Sequence, residues 1–182
     1  MPLISALTGF PTRWSGVVEI VEDADFKGKK RHTCSIQLAS GLVVQDARWT
    51  TLIHESRHDV SVGYNLMAYQ SVPGWEEGVV EQLQRMLRGD ILARIGVIVP
   101  STILADLDAQ HRYNVYIQAL EVVRSSRGLS EMQFYLPLLA TPPADRPTKM
   151  LMQAHQLPAW QQRTRPCDSL SRIRSCPGEG AQ

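Results

Sequence analysis

The residues with the most chemistry to offer are His54 and His58, with Glu55 beside the first and Glu77 and Glu81 further along the chain. Side chains four positions apart share one face of a helix, so the H-E-x-x-H run from His54 to His58 can aim two imidazole nitrogens at one metal ion. Glu55 then points to the side, where it can take the proton of a water held in the metal's open position without being a ligand itself. A catalytic zinc site normally needs a third protein ligand. Eighteen residues past His58, the run Gly74-Trp75-Glu76-Glu77-Gly78-Val79-Val80-Glu81 supplies one at Glu77. Glu81 lies one turn further on the same face, about 5–6 Å away, within reach of the outer nitrogen of a metal-bound histidine. Glu76 lies about 100° round the helix from Glu77 and is expected to leave metal affinity nearly untouched.

These side chains need rigid elements to hold them. The motif falls on a helix with Asp46 as N-cap, with Trp49, Leu52, Ile53 and Val60 as its buried side and with Gly63 as its stop. Arg57, inside the motif, is expected on the solvent side. A loop over 64–73 returns the chain to a second helix over 75–88, whose apolar set is Val79, Val80, Leu83, Met86 and Leu87 and which Gly89 ends. Upstream, residues 16–21 and 34–39 read as two strands joined by a charged turn over 22–30, a β-hairpin. Downstream the chain reads as helical: a short piece over 90–95, then one long amphipathic helix over 101–127 stopped by Gly128. A helix opened by a Ser130-x-x-Gln133 capping box follows, bent by Pro137 and ended by Pro142-Pro143, and then a short helix over 149–156. The expected class is α+β, with a small N-terminal sheet, an active-site helix, a glutamate helix and a mostly helical C-terminal part.

With 182 residues, 43% hydrophobic and 20% charged, the chain suits one globular domain, here 1–157, and the Gln-, Arg-, Ser- and Pro-rich residues 158–182 read as a flexible tail. A net charge of +1 gives no electrostatic case for nucleic acid or an anionic membrane. No apolar run approaches the roughly 20 residues of a membrane span, and Met1 to Leu7 makes a poor signal peptide, so a cytoplasmic location is expected. Three cysteines, Cys34, Cys167 and Cys176, are too sparse for a disulfide framework. Oligomeric state is left open.

The H-E-x-x-H run, the eighteen-residue gap and the Glu-Gly step at 77–78 resemble the gluzincin metallopeptidases, the thermolysin-like and aminopeptidase-like clan. The resemblance implies a zincin-like fold and a bound Zn²⁺ held by His54, His58 and Glu77. It also implies Glu55 as general base, Glu81 behind a ligand histidine, and a peptide or protein substrate paired with an edge strand of the sheet. Such enzymes add a Tyr or His to stabilise the oxyanion, for which His111, Tyr113 and Tyr116 are the candidates. Two departures stand out: the charged Arg57 in the motif, and the absence of the Gly-x-Met-x-Asn strand motif of the aminopeptidases. They keep a second reading in play, a zincin-shaped scaffold or interaction module that does not turn over peptides.

Overall fold

Two helices set the fold, and the other described elements are packed around the seam between them. In the computed structural model residues 2–155 are described. The motif helix α2 spans Ala47–His58, and the glutamate helix α4 spans Pro73–Arg94. His54 meets Glu77 and Glu81 whereas His58 meets Glu76 and Glu77, so the two helices run antiparallel. Helix α1 (Pro2–Thr8) buries Ile4 against α4, and the core gathers Ile53, Val79, Leu83, Leu120, Phe134 and Leu138 from the surrounding helices.

The class is α+β, with one small sheet and mostly helix. Strands β1 (Val18–Val21), β2 (Gly28–Lys30) and β3 (Ile36–Ala39) lie in the order β1-β3-β2. The expected hairpin between the first and last of these is not formed: β1 pairs with β3 in parallel, Val18 opposite Ile36. A parallel pair needs a crossover of a dozen or so residues, and the stretch read as a turn supplies it while adding β2 antiparallel to β3. The lysine-rich β2 has no apolar alternation to betray it; its ladder is made of backbone groups, and the Lys30 ammonium is buried 3.4 Å from Asp59 at the end of α2.

Several boundaries moved for physical reasons. Asp46 makes no side-chain cap. At the opposite end, the last turn of α2 and the turn after it are held by Arg13, whose guanidinium donates to the carbonyls of His58, Asp59, Ser61 and Tyr64. The loop over 64–73 contains a short helix α3 (Leu66–Ser71), whose N-cap Asn65 accepts from the Ala68 N–H. Helix α4 runs straight through Gly89 and absorbs the piece expected over 90–95; the stop is Gly96, at φ 69°. The long helix expected over 101–127 is two, α5 (Ser101–Ala109) and α6 (Asn114–Ser126). The Asn114 side chain donates to the carbonyls of Asp108 and Ala109, satisfying the open end of α5. The capping box of α7 (Glu131–Leu139) forms as expected, Pro137 is carried within that helix, and α8 (Arg146–His155) closes the described chain. The tail over 158–182, with Cys167 and Cys176, lies outside the described residues. No helix among the described residues is long and apolar enough to cross a membrane.

Close approach of α6 to α4 depends on two glycines. A Cβ at Gly74 would overlap the Tyr116 ring, and one at Gly78 would sit 2.8 Å from the Tyr116 Cβ. We therefore expect Gly74→Ala to destabilise the fold by about 1–3 kcal/mol through overpacking. Gly89→Ala, inside the same helix but with nothing within 4 Å of the added Cβ, is expected to stabilise it by about 0.5–1 kcal/mol. Urea midpoints of the two variants check the opposite signs.

Candidate metal centre

The antiparallel seam puts the two motif histidines opposite the glutamates of α4. His54 Nε2 lies 2.9 Å from Glu77 Oε2, and His58 Nε2 lies 3.6 Å from the same oxygen. The donor atoms of His54, His58 and Glu77 are all within 4.8 Å of one another, and all three residues are buried. The opposite nitrogens are occupied too. His54 Nδ1 is 2.9 Å from Glu81 Oε2, and His58 Nδ1 is 2.8 Å from Glu76 Oε1. Each imidazole thus has one nitrogen fixed by a carboxylate and the other turned to a shared point, the arrangement that selects the tautomer of a metal-binding histidine.

Glu76 departs from the expectation. Although it points about 100° away from Glu77 on its helix, the His58 ring comes round to meet it, and the carboxylate is fully buried between His58, Ser61 and Arg146. Helical spacing alone gave no sign of this, because the partners lie on other elements. Glu81 stands behind His54 as expected, and its second oxygen accepts from Arg85 Nε at 2.9 Å.

Glu55 sits on the flank of α2 that faces the sheet. Its Oε2 accepts the backbone N–H of Lys30 at 2.9 Å. That N–H, from a strand the sequence read as part of a charged turn, serves to fix the carboxylate. Gly28 lets the strand come this close: a Cβ there would overlap Thr51 and lie 3.4 Å from the Glu55 Cγ.

Aromatic residues wall the site. The break between α5 and α6 brings in His111 and Tyr113, with Tyr113 stacked on His54 at 5.9 Å and 19° and His111 Nε2 3.6 Å from Glu81 Oε2. Arg112 Nη2 donates to Tyr113 Oη at 2.5 Å. Tyr116, the third candidate, packs its ring over Gly74 and its Cβ over Gly78. Two tyrosines that the sequence did not single out are nearer. Tyr69 Oη donates to Glu77 Oε1 at 2.7 Å, and the Tyr64 ring is 5.0 Å from that of His58. Both come from the segment read as plain loop; the only signal was a pair of tyrosines between the two site helices. Burial, reinforced by the Glu77 charge, pushes the hydroxyls of Tyr69 and Tyr113 well above their ordinary range, so both stay protonated.

Arg57 corrects another expectation. It is fully buried, its three guanidinium nitrogens have no hydrogen-bond partner, and burial lowers its pKa to about 10. Helix α2 is enclosed on more sides than a single apolar stripe implies, so the face expected to meet solvent meets protein.

Burial opposes the charged form of both histidines, but the facing carboxylates outweigh it. Glu77 and Glu76 raise His58 to about 9, and Glu77 and Glu81 hold His54 well above its ordinary value. Glu77, despite the opposing effect of burial, is held well below the usual carboxylate range by His58 and His54. Comparison with family models, with curated proteins and with solved structures gives no match to this chain.

Two outcomes follow from these charges. In the metal-free protein the folded state holds the His58 proton more tightly than the unfolded chain does. The resulting stability is complete below the ordinary value of 6.5 and is lost as pH rises through about 9. The denaturation midpoint of metal-free protein should therefore fall across that window, and fall less in Glu77→Gln. Arg57→Met removes unpaired buried donors, each of which costs about 1–3 kcal/mol, and should leave the protein at least as stable as wild type in urea denaturation.

Proposed function

We propose that this chain is a zinc-dependent metallopeptidase of the gluzincin kind, with a zincin-like arrangement of sheet edge, motif helix and glutamate helix, acting on peptide or protein substrates. The observation that carries the reading is the convergence of His54 Nε2, His58 Nε2 and Glu77 Oε2, with each Nδ1 held by its own carboxylate. The donor set fits the ion. Bonds of about 2.0–2.1 Å in a tetrahedral site place ligand atoms about 3.3–3.4 Å apart, and the two histidine nitrogens stand 2.9 and 3.6 Å from the Glu77 oxygen. Two imidazoles and a carboxylate, with no cysteine among them, suit zinc chemistry.

Bound there, zinc supplies a water of pKa near 7 and a Lewis acid for the scissile carbonyl. The chain's own residues do the rest. Glu55, with one oxygen fixed by the Lys30 N–H, keeps the other to accept a proton and pass it to the leaving amine. Tyr113 accepts a bond from Arg112 and so retains its own proton to donate toward the developing oxyanion. Tyr69 fixes the orientation of Glu77 through Oε1, leaving Oε2 facing the histidines. Glu81 and Glu76 keep the histidines in the tautomer whose Nε2 lone pairs face inward.

The second reading is a scaffold of the same shape that does not cleave peptides, and the buried, unpartnered Arg57 in the motif is the observation in its favour. Purified protein should contain close to one zinc per chain by elemental analysis. Glu55→Gln should retain that zinc while losing about 10²- to 10⁴-fold in the rate of cleavage of an unfolded protein substrate. Absence of zinc, with none taken up on addition, would remove the metal centre. Zinc present with no cleavage by wild type or variant would establish the scaffold.

A further inference from the structure

The two histidines are braced alike, but the braces are anchored very differently. His54 hands Nδ1 to Glu81, whose other oxygen accepts from Arg85 Nε. His58 hands Nδ1 to Glu76, whose other oxygen accepts from Arg146 Nη1. Arg85 is 17% exposed and shared with Asp108 and Asn114. Arg146 is fully buried, from a helix 70 residues away in sequence. Its Nε donates to the carbonyls of Leu138 and Thr141 at 2.8 and 2.9 Å, and its Nη2 donates to Ser61 Oγ at 2.6 Å. Ser61 Oγ in turn lies 3.3 Å from Glu76 Oε2. The guanidinium is thereby fixed by the end of α7 and the turn after α2, with Glu76 as its only charged partner among the described residues.

We propose that Arg146 is the positioning residue for His58, acting through Glu76, so that α8, the last of the described helices, sets the geometry of one metal ligand. The proposal rests on the metal-centre reading and adds to it a residue outside the motif. A planar guanidinium gripped at three nitrogens can place a carboxylate oxygen with little freedom. Glu76 is then oriented by protein, not water, and its first oxygen meets the His58 Nδ1–H at 2.8 Å. Without Arg146 a fully buried carboxylate loses the counter-charge that, among the described residues, it has apart from His58, and such a group cannot stay where it is without a large penalty. It turns away and takes the orientation of the His58 ring with it. His54 is unaffected, because its own brace runs through Glu81 and Arg85.

The test uses full-length Arg146→Met, Arg146→Lys, Glu76→Gln, the double variant Arg146→Met/Glu76→Gln, and Arg85→Met. Zinc affinity is measured by chelator competition, and the His58 Nδ1–H proton is followed by NMR in metal-free protein. Arg146→Met should weaken zinc about 10- to 100-fold and abolish the protected His58 Nδ1–H signal, with Arg146→Lys recovering part of both. The double variant should be no weaker in zinc than the worse single one, because both changes cut the same chain. Arg85→Met should disturb the His54 signal and leave that of His58. If Arg146→Met lowers the denaturation midpoint while zinc affinity and the His58 proton stay at wild-type values, Arg146 merely staples α8 and the proposal is overturned. Should Arg146→Met not fold, Arg146→Lys and Glu76→Gln decide the same question. If wild type takes up no zinc, the metal reading fails by itself, and the His58 proton still tests the brace: its loss in the arginine variants supports it, its persistence overturns it.

Discussion

Three carboxylates of one helix, those of Glu76, Glu77 and Glu81, are withdrawn from water to between 0% and 5% exposure, and each needs a counter-charge where it stands. An unpaired carboxylate in a protein interior costs several kcal/mol, so a chain that buries three along two turns must bring cations to them from elsewhere. His54 and His58 supply two from α2, Arg146 a third from α8, and Arg85 a fourth from the next turn of α4. The antiparallel packing of α2 on α4 follows, since only that direction sets His54 against Glu81 and His58 against Glu76.

The same constraint shapes what lies around the seam. Tyr69 spends its hydroxyl on the remaining oxygen of Glu77, and the break between α5 and α6 places His111 beside Glu81. Ser61 closes the gap between Arg146 and Glu76. On the far flank of α2, Asp59 takes the Lys30 ammonium and Glu55 the Lys30 N–H, so β2 is drawn onto the helix by two carboxylates. The small sheet is thus tied to the motif helix as much by polar bonds as by the apolar cluster of Ile36, Leu38 and Leu42 beneath it.

Function and stability pull in different directions at this seam. Without a metal, the facing carboxylates keep the histidines protonated; a cation bound at the shared point would have to displace those protons, which would make its binding dependent on pH. The braces on Nδ1 lower the cost of that exchange by keeping each ring in place while the proton on Nε2 departs. Arg57 is buried with no hydrogen-bond partner for its guanidinium, and nothing in the structure explains its place in the motif.

Local spacing was enough to determine the pairing of His54 with His58, their junction with Glu77 and the brace from Glu81. All of these depend on helical periodicity within two short segments, and periodicity is written in sequence. The capping box at Ser130 and the existence of the two site helices were legible for the same reason. The role of Glu76, the burial of Arg57, the reach of Arg146, the splitting of the helix over 101–127 and the parallel pairing of β1 with β3 were not. Each is decided by a partner distant in sequence: His58 and Arg146 for Glu76, the surrounding helices for Arg57, the turn after α2 for Arg146, Arg85 for Asn114, and the central strand for β1. A side chain's local pattern fixes which way it leaves the helix, but whether water, an ion pair or another helix awaits it there is settled only when the chain has folded back on itself.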